Sequence, residues 1–299
     1  GNYQRTNTMI KKIYCFGTSH TAGGGFHGKN VKNTYKNIVD NPSMETCSWP
    51  GIFKTYLDKN IEVINLAESG SGNERIYRLV FDLITNPKIK NEESLFLIEL
   101  SNLGRKEFYS NTAKDYVICN YHLHNLPGKN FDVVKQYYKD YKLPSKTKEL
   151  YENFLLETFD EDDLMKKLQR NLYFFLSFLN IHKINYELTC YDNRIFAPEQ
   201  IDFFGDNTKG IEYTINKKIY NSWYDWGNYQ ITDYLITHET DGVIRDHHQG
   251  YWATEIAAQT IYNHLIDKKW IEGTKKKINS SHKDFLVFKE KLKHKNFLI

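Results

Sequence analysis

Hydrophobic positions in the first hundred residues alternate between short apolar runs and helical periods. Runs rich in apolar residues over 10–16, 61–66 and 94–100 predict three short strands. Between the second and third runs, apolar residues recur at intervals of three and four, as on one face of a helix: Ile76, Leu79, Val80, Leu83 and Ile84. The third run is almost continuously apolar, as expected for a strand covered on both faces, so the order predicts a parallel sheet with flanking helices.

The pattern weakens from about residue 104 to 160, a stretch rich in Tyr, Lys and Asn. We expect a helical insertion or lid there. Regular spacing returns over 164–179, which predicts a long amphipathic helix, and 184–190 predicts a further strand. The chain thus resumes the strand and helix order that the insertion interrupts.

A second irregular stretch runs from about 192 to 240 and precedes a helix predicted over 252–265. Residues 10–272 are therefore interpreted as one domain with two insertions, and 273–299 as a basic C-terminal extension. The predicted fold class is α/β, a three-layer α/β/α sandwich around a short, mostly parallel sheet.

Composition narrows the class of protein. The 299 residues carry 40 Lys and Arg against 37 Asp and Glu, and this near balance gives no reason to expect a nucleic acid partner. Hydrophobic residues make up 40% and charged residues 26%, which excludes disordered, collagenous and disulfide-stapled classes. The aromatic share is 15%, and because Tyr and Trp gather in the two insertions, we expect these segments to influence substrate choice.

Cysteine spacing and hydropathy bear on the compartment. Cys15, Cys47, Cys119 and Cys190 lie far apart with no C-x-x-C pair, so we expect free, buried thiols in a reducing compartment. No run approaches the roughly 18 apolar residues of a membrane helix, and the start lacks the apolar region of a signal peptide. We therefore expect a cytoplasmic protein without a membrane partner.

Polar residues follow each predicted strand, where ligands bind in an open α/β sheet, and others precede the last helix: Ser19, Gly70 with Gly72, Asn102, and Asp246 with His248. A serine hydroxyl becomes a nucleophile when a nearby imidazole takes its proton, and a carboxylate holds that imidazole in the right tautomer. Backbone N–H groups and an amide side chain can stabilise the oxyanion that forms. These residue types therefore predict acyl transfer through a serine.

Four blocks, in the same order, resemble the SGNH (GDSL-type) hydrolases: Phe16–Thr21, Asn65–Gly70, Leu97–Asn102 and Asp246–Ala258. The resemblance implies a flavodoxin-like sheet with Ser19 as the nucleophile and His248 as the base. It implies that Asp246 orients the base. It also implies that the oxyanion is held by the N–H groups of Ser19 and Gly70 and by the Asn102 side chain.

The chain departs from the family pattern at the acid and at the turn before the nucleophile. Arg245 occupies the position, three residues before the histidine, that commonly holds the family's acid, so Asp246 is assigned with Asp241 as the alternative. Thr18 stands where the family usually has Asp. Gly72 is the alternative to Gly70 as an oxyanion donor.

Rival sites fit the sequence less well. The stretch 23–29 nearly spells a P-loop, but Asn30 replaces the required Ser or Thr. No set of histidines has the spacing of a zinc site, so we expect neither a metal nor another cofactor. Trp223 and Trp226 could stack on a sugar or anchor a loop to the core.

Three functions remain open from sequence. The first is an esterase that removes an acyl group, such as O-acetyl on a saccharide, from a small-molecule or glycan ester. The second is an acyltransferase that uses the same residues, and the third is a catalytically silent domain that binds a glycan or a partner protein.

Overall fold

The computed structural model describes residues 9–24, 43–101, 105–111, 114–126, 129–138, 161–190 and 251–277, with isolated helical positions at 146, 149, 153 and 157. Seven strands are described: β1 Lys12–Phe16, β2 Glu62–Asn65, β3 Ser94–Leu100, β4 Arg105–Ser110, β5 Asp115–Leu126, β6 Lys129–Tyr138 and β7 Asn185–Cys190. The described α-helices are α1 Ser19–Ala22, α2 Met44–Cys47, α3 Trp49–Lys54, α4 Asn73–Ile84, α5 Glu161–Ile181 and α6 Tyr251–Asp267. A short 3₁₀ turn, Asn91–Glu93, leads into β3.

The main sheet has four strands in the order β2-β1-β3-β7, and every pairing between them is parallel. Ile13 lies beside Val63 on one side and Leu95 on the other. The four strands expected from the apolar runs are confirmed, as is the broad α/β class. Helices connect them because a parallel partner can be reached only by a crossover.

Both faces of this sheet are covered, because successive side chains of a strand point to opposite sides. One face packs against α3 and α6, and the buried core there includes Ile13, Cys15, Leu95, Leu97, Trp49, Phe53, Ala257 and Ile261. The other packs against α4 and α5, with a core that includes Phe16, Phe96, Ile98, Ile76, Val80, Leu172 and Leu179. Each fully buried large apolar side chain contributes about 1.5–3 kcal/mol, so the two cores hold the strand ends in place.

The expectation of helical structure is wrong over 105–110, 115–126 and 129–138. These residues form an antiparallel sheet of three strands in the order β4-β5-β6. The turn between β4 and β5 places Lys114 at a φ of 53°. Val117, Cys119, Tyr121 and Leu123 put an apolar residue at every second position of β5, as is typical of a strand, and this period of two accounts for the weak helical pattern.

The second sheet contacts α4 through charged side chains. The guanidinium of Arg78 donates two hydrogen bonds to the Glu107 carboxylate, at 3.0 and 2.8 Å, and stacks 3.9 Å from the centre of the Tyr116 ring. Lys106 Nζ donates to Glu74 Oε1 at 2.9 Å. A bidentate pair of this kind fixes the relative orientation of its two side chains as well as stabilising the contact, so it holds β4 in one register along α4.

The start of the predicted basic extension packs on α6. The Asn263 side chain donates to the backbone oxygen of Lys276 and accepts from its N–H, both at 2.7 Å. The Lys276 ammonium lies 4.8 Å from the centre of the Tyr56 ring. Residues up to 277 therefore belong with the domain, although 272–277 are exposed. Within the described helices, none combines the length and apolar character needed to cross a membrane.

Cysteine reactivity tests the packing of the main sheet. Cys15 and Cys47 are free and buried, as expected from the sequence, and burial raises the pKa of both thiols. We expect both to resist alkylation by iodoacetamide in the folded protein and to react readily in urea. Peptide mass mapping measures each site separately, and native labelling of Cys15 at its unfolded rate would contradict the packing.

Candidate active site

The carboxyl ends of β1 and β3 are neighbours at a switch point of the sheet. In the order β2-β1-β3-β7, the chain passes from β1 to β2 on one side and from β3 to β7 on the other, so the connections after β1 and β3 leave toward opposite edges of the sheet. A crevice opens at such a point in open α/β sheets, and ligands bind there. Ser19 follows β1 and Ser101 follows β3, which places both residues at this edge of the sheet.

Ser19 is the first residue of α1. It is the central residue of the segment 17–21, which we call the Ser19 turn. Thr18 precedes it in an extended conformation, with φ of −99° and ψ of −161°. Ser19 is 3% exposed, and its hydroxyl forms no hydrogen bond with any residue that the structure describes. The serine is therefore positioned by its backbone, and within the described part of the chain its hydroxyl is not engaged.

A buried carboxylate on β3 holds the Ser19 turn. Glu99 is 2% exposed and accepts from the Thr18 N–H at 3.3 Å and from the Thr18 hydroxyl at 2.7 Å. The Thr21 hydroxyl donates to Oε2 of the same carboxylate, the oxygen that also accepts from the Thr18 N–H. Trp49 Nε1 in turn donates to the Thr21 hydroxyl oxygen at 3.0 Å. One acidic side chain thus connects β3, the Ser19 turn and α3.

The environment of the Glu99 carboxylate shifts its pKa. Burial raises the pKa of Glu99, because an ionised carboxylate loses its hydration in the interior. Hydrogen bonds from Thr21 and Thr18 and the positive charge of Arg105 act in the opposite direction and lower that pKa. Burial is the largest of these effects, so the net direction is upward.

The loop after β2 presents Gly70 to the same edge. Gly70 has a φ of 83°, in the left-handed region that favours glycine. Arg75 holds the loop: it donates to the Leu66 oxygen at 3.0 Å and pairs with Glu68 at 2.9 Å. Among the described residues, no acceptor is found for the N–H of Gly70 or of Ser19.

Gly72 has a different role from Gly70. Its φ is −90°, and it precedes the first residue of α4. A Cβ atom at this position would lie 2.6 Å from the backbone oxygen of Arg105. Glycine is needed here because the start of β4 approaches the backbone closely. This packing role distinguishes Gly72, the alternative oxyanion donor, from Gly70.

Asn73 fixes the end of β3. Its side-chain amide donates to the Ser101 oxygen at 3.0 Å and accepts from the Ser101 N–H at 2.8 Å, in the manner of a neighbouring strand. The Ser101 hydroxyl is buried without a hydrogen-bond partner in the described part of the chain. The backbone that leads to Asn102 therefore leaves β3 in a defined direction.

Three of the residues predicted for the site, Ser19, Gly70 and Gly72, lie at this edge. The others fall outside the described residues: Asn102, Trp223, Trp226, Asp241, Asp246 and His248. No group of three or more potential metal ligands occurs within the described ranges.

Sequence reasoning missed Glu99 and Asn73. Glu99 could have been found as the one charged residue inside the apolar run 94–100, since a glutamate is almost never fully buried unless it is paired. Asn73 has no comparable signal, because an asparagine at a helix start is most often a simple cap.

Comparisons with known proteins do not assign this chain to a family. No family model, no curated protein and no solved structure matches it. A function is therefore proposed below from the residues of the site.

Replacement of Gly72 tests the close approach of β4 to α4. We expect Gly72→Ala to lower the free energy of unfolding by about 1–3 kcal/mol, the usual cost of an overpacked site, because the new methyl group meets backbone that cannot rotate away. Urea unfolding measures this change. Ser71→Ala is the control, since it adds no atom beside β4, and equal stability of Gly72→Ala and wild type would contradict the packing.

The raised pKa of Glu99 predicts a pH dependence of stability. We expect the free energy of unfolding of the wild type to fall, relative to that of Glu99→Gln, as the pH rises above the ordinary glutamate value of 4.5. In this window the unfolded chain has lost its proton while the native chain keeps it, so higher pH favours unfolding. The Glu99 contribution is complete below that value and is lost as the pH passes the raised native pKa. Urea titrations of both proteins at several pH values measure the difference, and a difference independent of pH would contradict the assignment.

Proposed function

We propose that this chain is a serine hydrolase of the SGNH type, which cleaves an acyl ester through an acyl-Ser19 intermediate. The observation that carries the proposal is the buried Ser19 at the switch point, beside the loop that contains Gly70, with a hydroxyl that bonds no residue in the described ranges. An oriented hydroxyl next to available N–H donors is what nucleophilic acyl transfer requires.

The backbone supplies two donors for the oxyanion in this proposal. The N–H groups of Ser19 and Gly70 have no acceptor among the described residues. The Asn102 side chain is the third donor, and the Asn73 clamp on Ser101 supports it by fixing the chain just before it. Removal of one oxyanion donor typically costs about 2.7–4 kcal/mol of transition-state stabilisation.

The direction of α6 supports His248 as the base. The ring of Tyr262, in the second half of α6, lies 5.6 Å from the ring of Tyr56. Tyr56 follows the end of α3, whereas Trp49 at its start bonds the Ser19 turn. The second half of α6 therefore lies at the edge remote from Ser19, and its first residues, which follow His248 in the chain, are directed toward the Ser19 edge.

In the proposed reaction, Ser19 Oγ attacks the ester carbonyl while His248 takes the serine proton. Collapse of the oxyanion breaks the bond to the alcohol, which receives that proton from His248. Water then attacks the acyl-serine with the same base, and Ser19 regains its proton when the carboxylic acid leaves. Asp246 orients His248, and no step needs a cofactor.

The proposed substrate is a small-molecule or glycan ester, such as an O-acetylated saccharide. Trp223 and Trp226 are the residues we propose to contact it, since aromatic rings pack well on the apolar faces of sugars. These two residues come from the stretch 192–240 that the sequence marks as an insertion.

The experiment is hydrolysis of p-nitrophenyl acetate and covalent labelling by a fluorophosphonate, in the wild type and in Ser19→Ala. We expect Ser19→Ala to abolish labelling and to lower kcat by about a thousandfold or more, because the nucleophile is lost. Ser94→Ala is the matched control: Ser94 is also buried, but it lies at the start of β3, at the opposite edge of the sheet. Ser94→Ala should behave as the wild type, whereas equal activity of Ser19→Ala and wild type would refute the proposed function.

A further inference from the structure

The Glu99 carboxylate accepts hydrogen bonds from residues on both sides of Ser19. Thr18, one residue before the serine, donates to Glu99 through both its N–H and its hydroxyl. Thr21, two residues after the serine, donates through its hydroxyl. The chain on both sides of Ser19 is therefore attached to one side chain of β3.

These contacts are not helix capping. Thr18 occupies the cap position of α1, where a hydroxyl normally accepts from a backbone N–H of the first turn, yet its side chain makes no such bond. Its hydroxyl is directed to Glu99 instead. Because α1 has only four residues, its own hydrogen bonds give it little stability, and its orientation depends on contacts with the rest of the fold.

The hydrogen bonds around Thr21 run in one direction. Trp49 Nε1 can only donate, so the Thr21 hydroxyl oxygen accepts from it at 3.0 Å. The Thr21 hydroxyl therefore uses its own hydrogen to donate a hydrogen bond to Glu99. Asn65, at the end of β2, donates to the Thr21 backbone oxygen at 2.9 Å. Three parts of the fold thus converge on this residue of the turn.

We infer that Glu99 is a positioning residue for the nucleophile: through Thr18 and Thr21 it orients Ser19 Oγ toward the base and the oxyanion donors. The inference rests on the proposed function. The bonds that Glu99 accepts come from Thr18 and Thr21, so it acts on Ser19 through the turn. Because β3 continues directly into Ser101 and Asn102, the same strand end positions both the nucleophile and an oxyanion donor.

A matched pair of variants separates positioning from simple stability. Glu187 is also buried, at 5%, and lies on the same face of the sheet as Glu99, in the adjacent strand β7. It accepts from Trp270 Nε1 at 2.7 Å and contacts His264 Nε2 at 3.0 Å, away from the Ser19 turn. Glu99→Gln and Glu187→Gln therefore each remove one buried, hydrogen-bonded carboxylate of the same size.

The rate constant of fluorophosphonate labelling and the steady-state constants for p-nitrophenyl acetate are measured below the Tm of every variant. We expect Glu99→Gln to reduce the labelling rate and kcat by about 10- to 100-fold, the effect of a displaced reacting group, with KM little changed. Glu187→Gln should keep both rates within about twofold of the wild type, even where its Tm falls.

A second pair at Thr18 gives an independent measurement if Glu99→Gln does not fold. Thr18→Val removes the hydroxyl that donates to Glu99, whereas Thr18→Ser retains it. We expect slower labelling in Thr18→Val and recovery to near the wild-type rate in Thr18→Ser. The double variant Thr18→Val/Glu99→Gln should be no slower than Glu99→Gln, because the two residues act through one contact.

The outcomes distinguish this inference from the proposed function. If the wild type is labelled at Ser19 but Glu99→Gln labels as fast as Glu187→Gln, or Thr18→Val as fast as Thr18→Ser, the positioning role is refuted and the hydrolase proposal stands. If the wild type is neither labelled nor active, the proposed function fails and the positioning role fails with it.

Discussion

The site depends on one buried acidic side chain. A buried carboxyl group loses the hydration that it has in water, and well-placed hydrogen-bond partners offset that loss. Glu99 meets this requirement with donors from Thr18 and Thr21. In return, the turn that carries Ser19 is attached to β3, the strand that leads to Asn102. A helix of four residues has little stability of its own, so its orientation depends on this carboxylate together with the bonds that Trp49 and Asn65 donate to Thr21.

The surrounding architecture makes that contact geometrically available. Parallel pairing places the ends of β1 and β3 side by side, and the two apolar cores fix the sheet between its helices. The second sheet adds a further constraint, since β4 contacts the start of α4 at Gly72. The Asn73 amide then joins the start of α4 to Ser101. The segments that follow β1, β2 and β3 are therefore held by polar contacts, and the apolar cores hold the strands themselves.

The main sheet was predictable because its signal is local. A run such as 94–100 is apolar at nearly every position, and only a strand covered on both faces requires this. The second sheet was not predictable, because the helical structure expected for 104–160 was inferred where the apolar residues show no clear periodicity. An antiparallel sheet takes its stability from cross-strand pairs, and their register is not written in either strand alone.

The sequence by itself determined the four strands of the main sheet, and it determined that Ser19 and Gly70 follow strands, since apolar runs and loop glycines are local properties of the chain. Only the tertiary structure decided that Gly72 serves packing, that Asn73 clamps Ser101, and that Glu99 holds the Ser19 turn. Glu99 lies 81 residues from Thr18 and 78 from Thr21. Contacts across such separations arise from the way the strands pair, so no pattern along the chain specifies them.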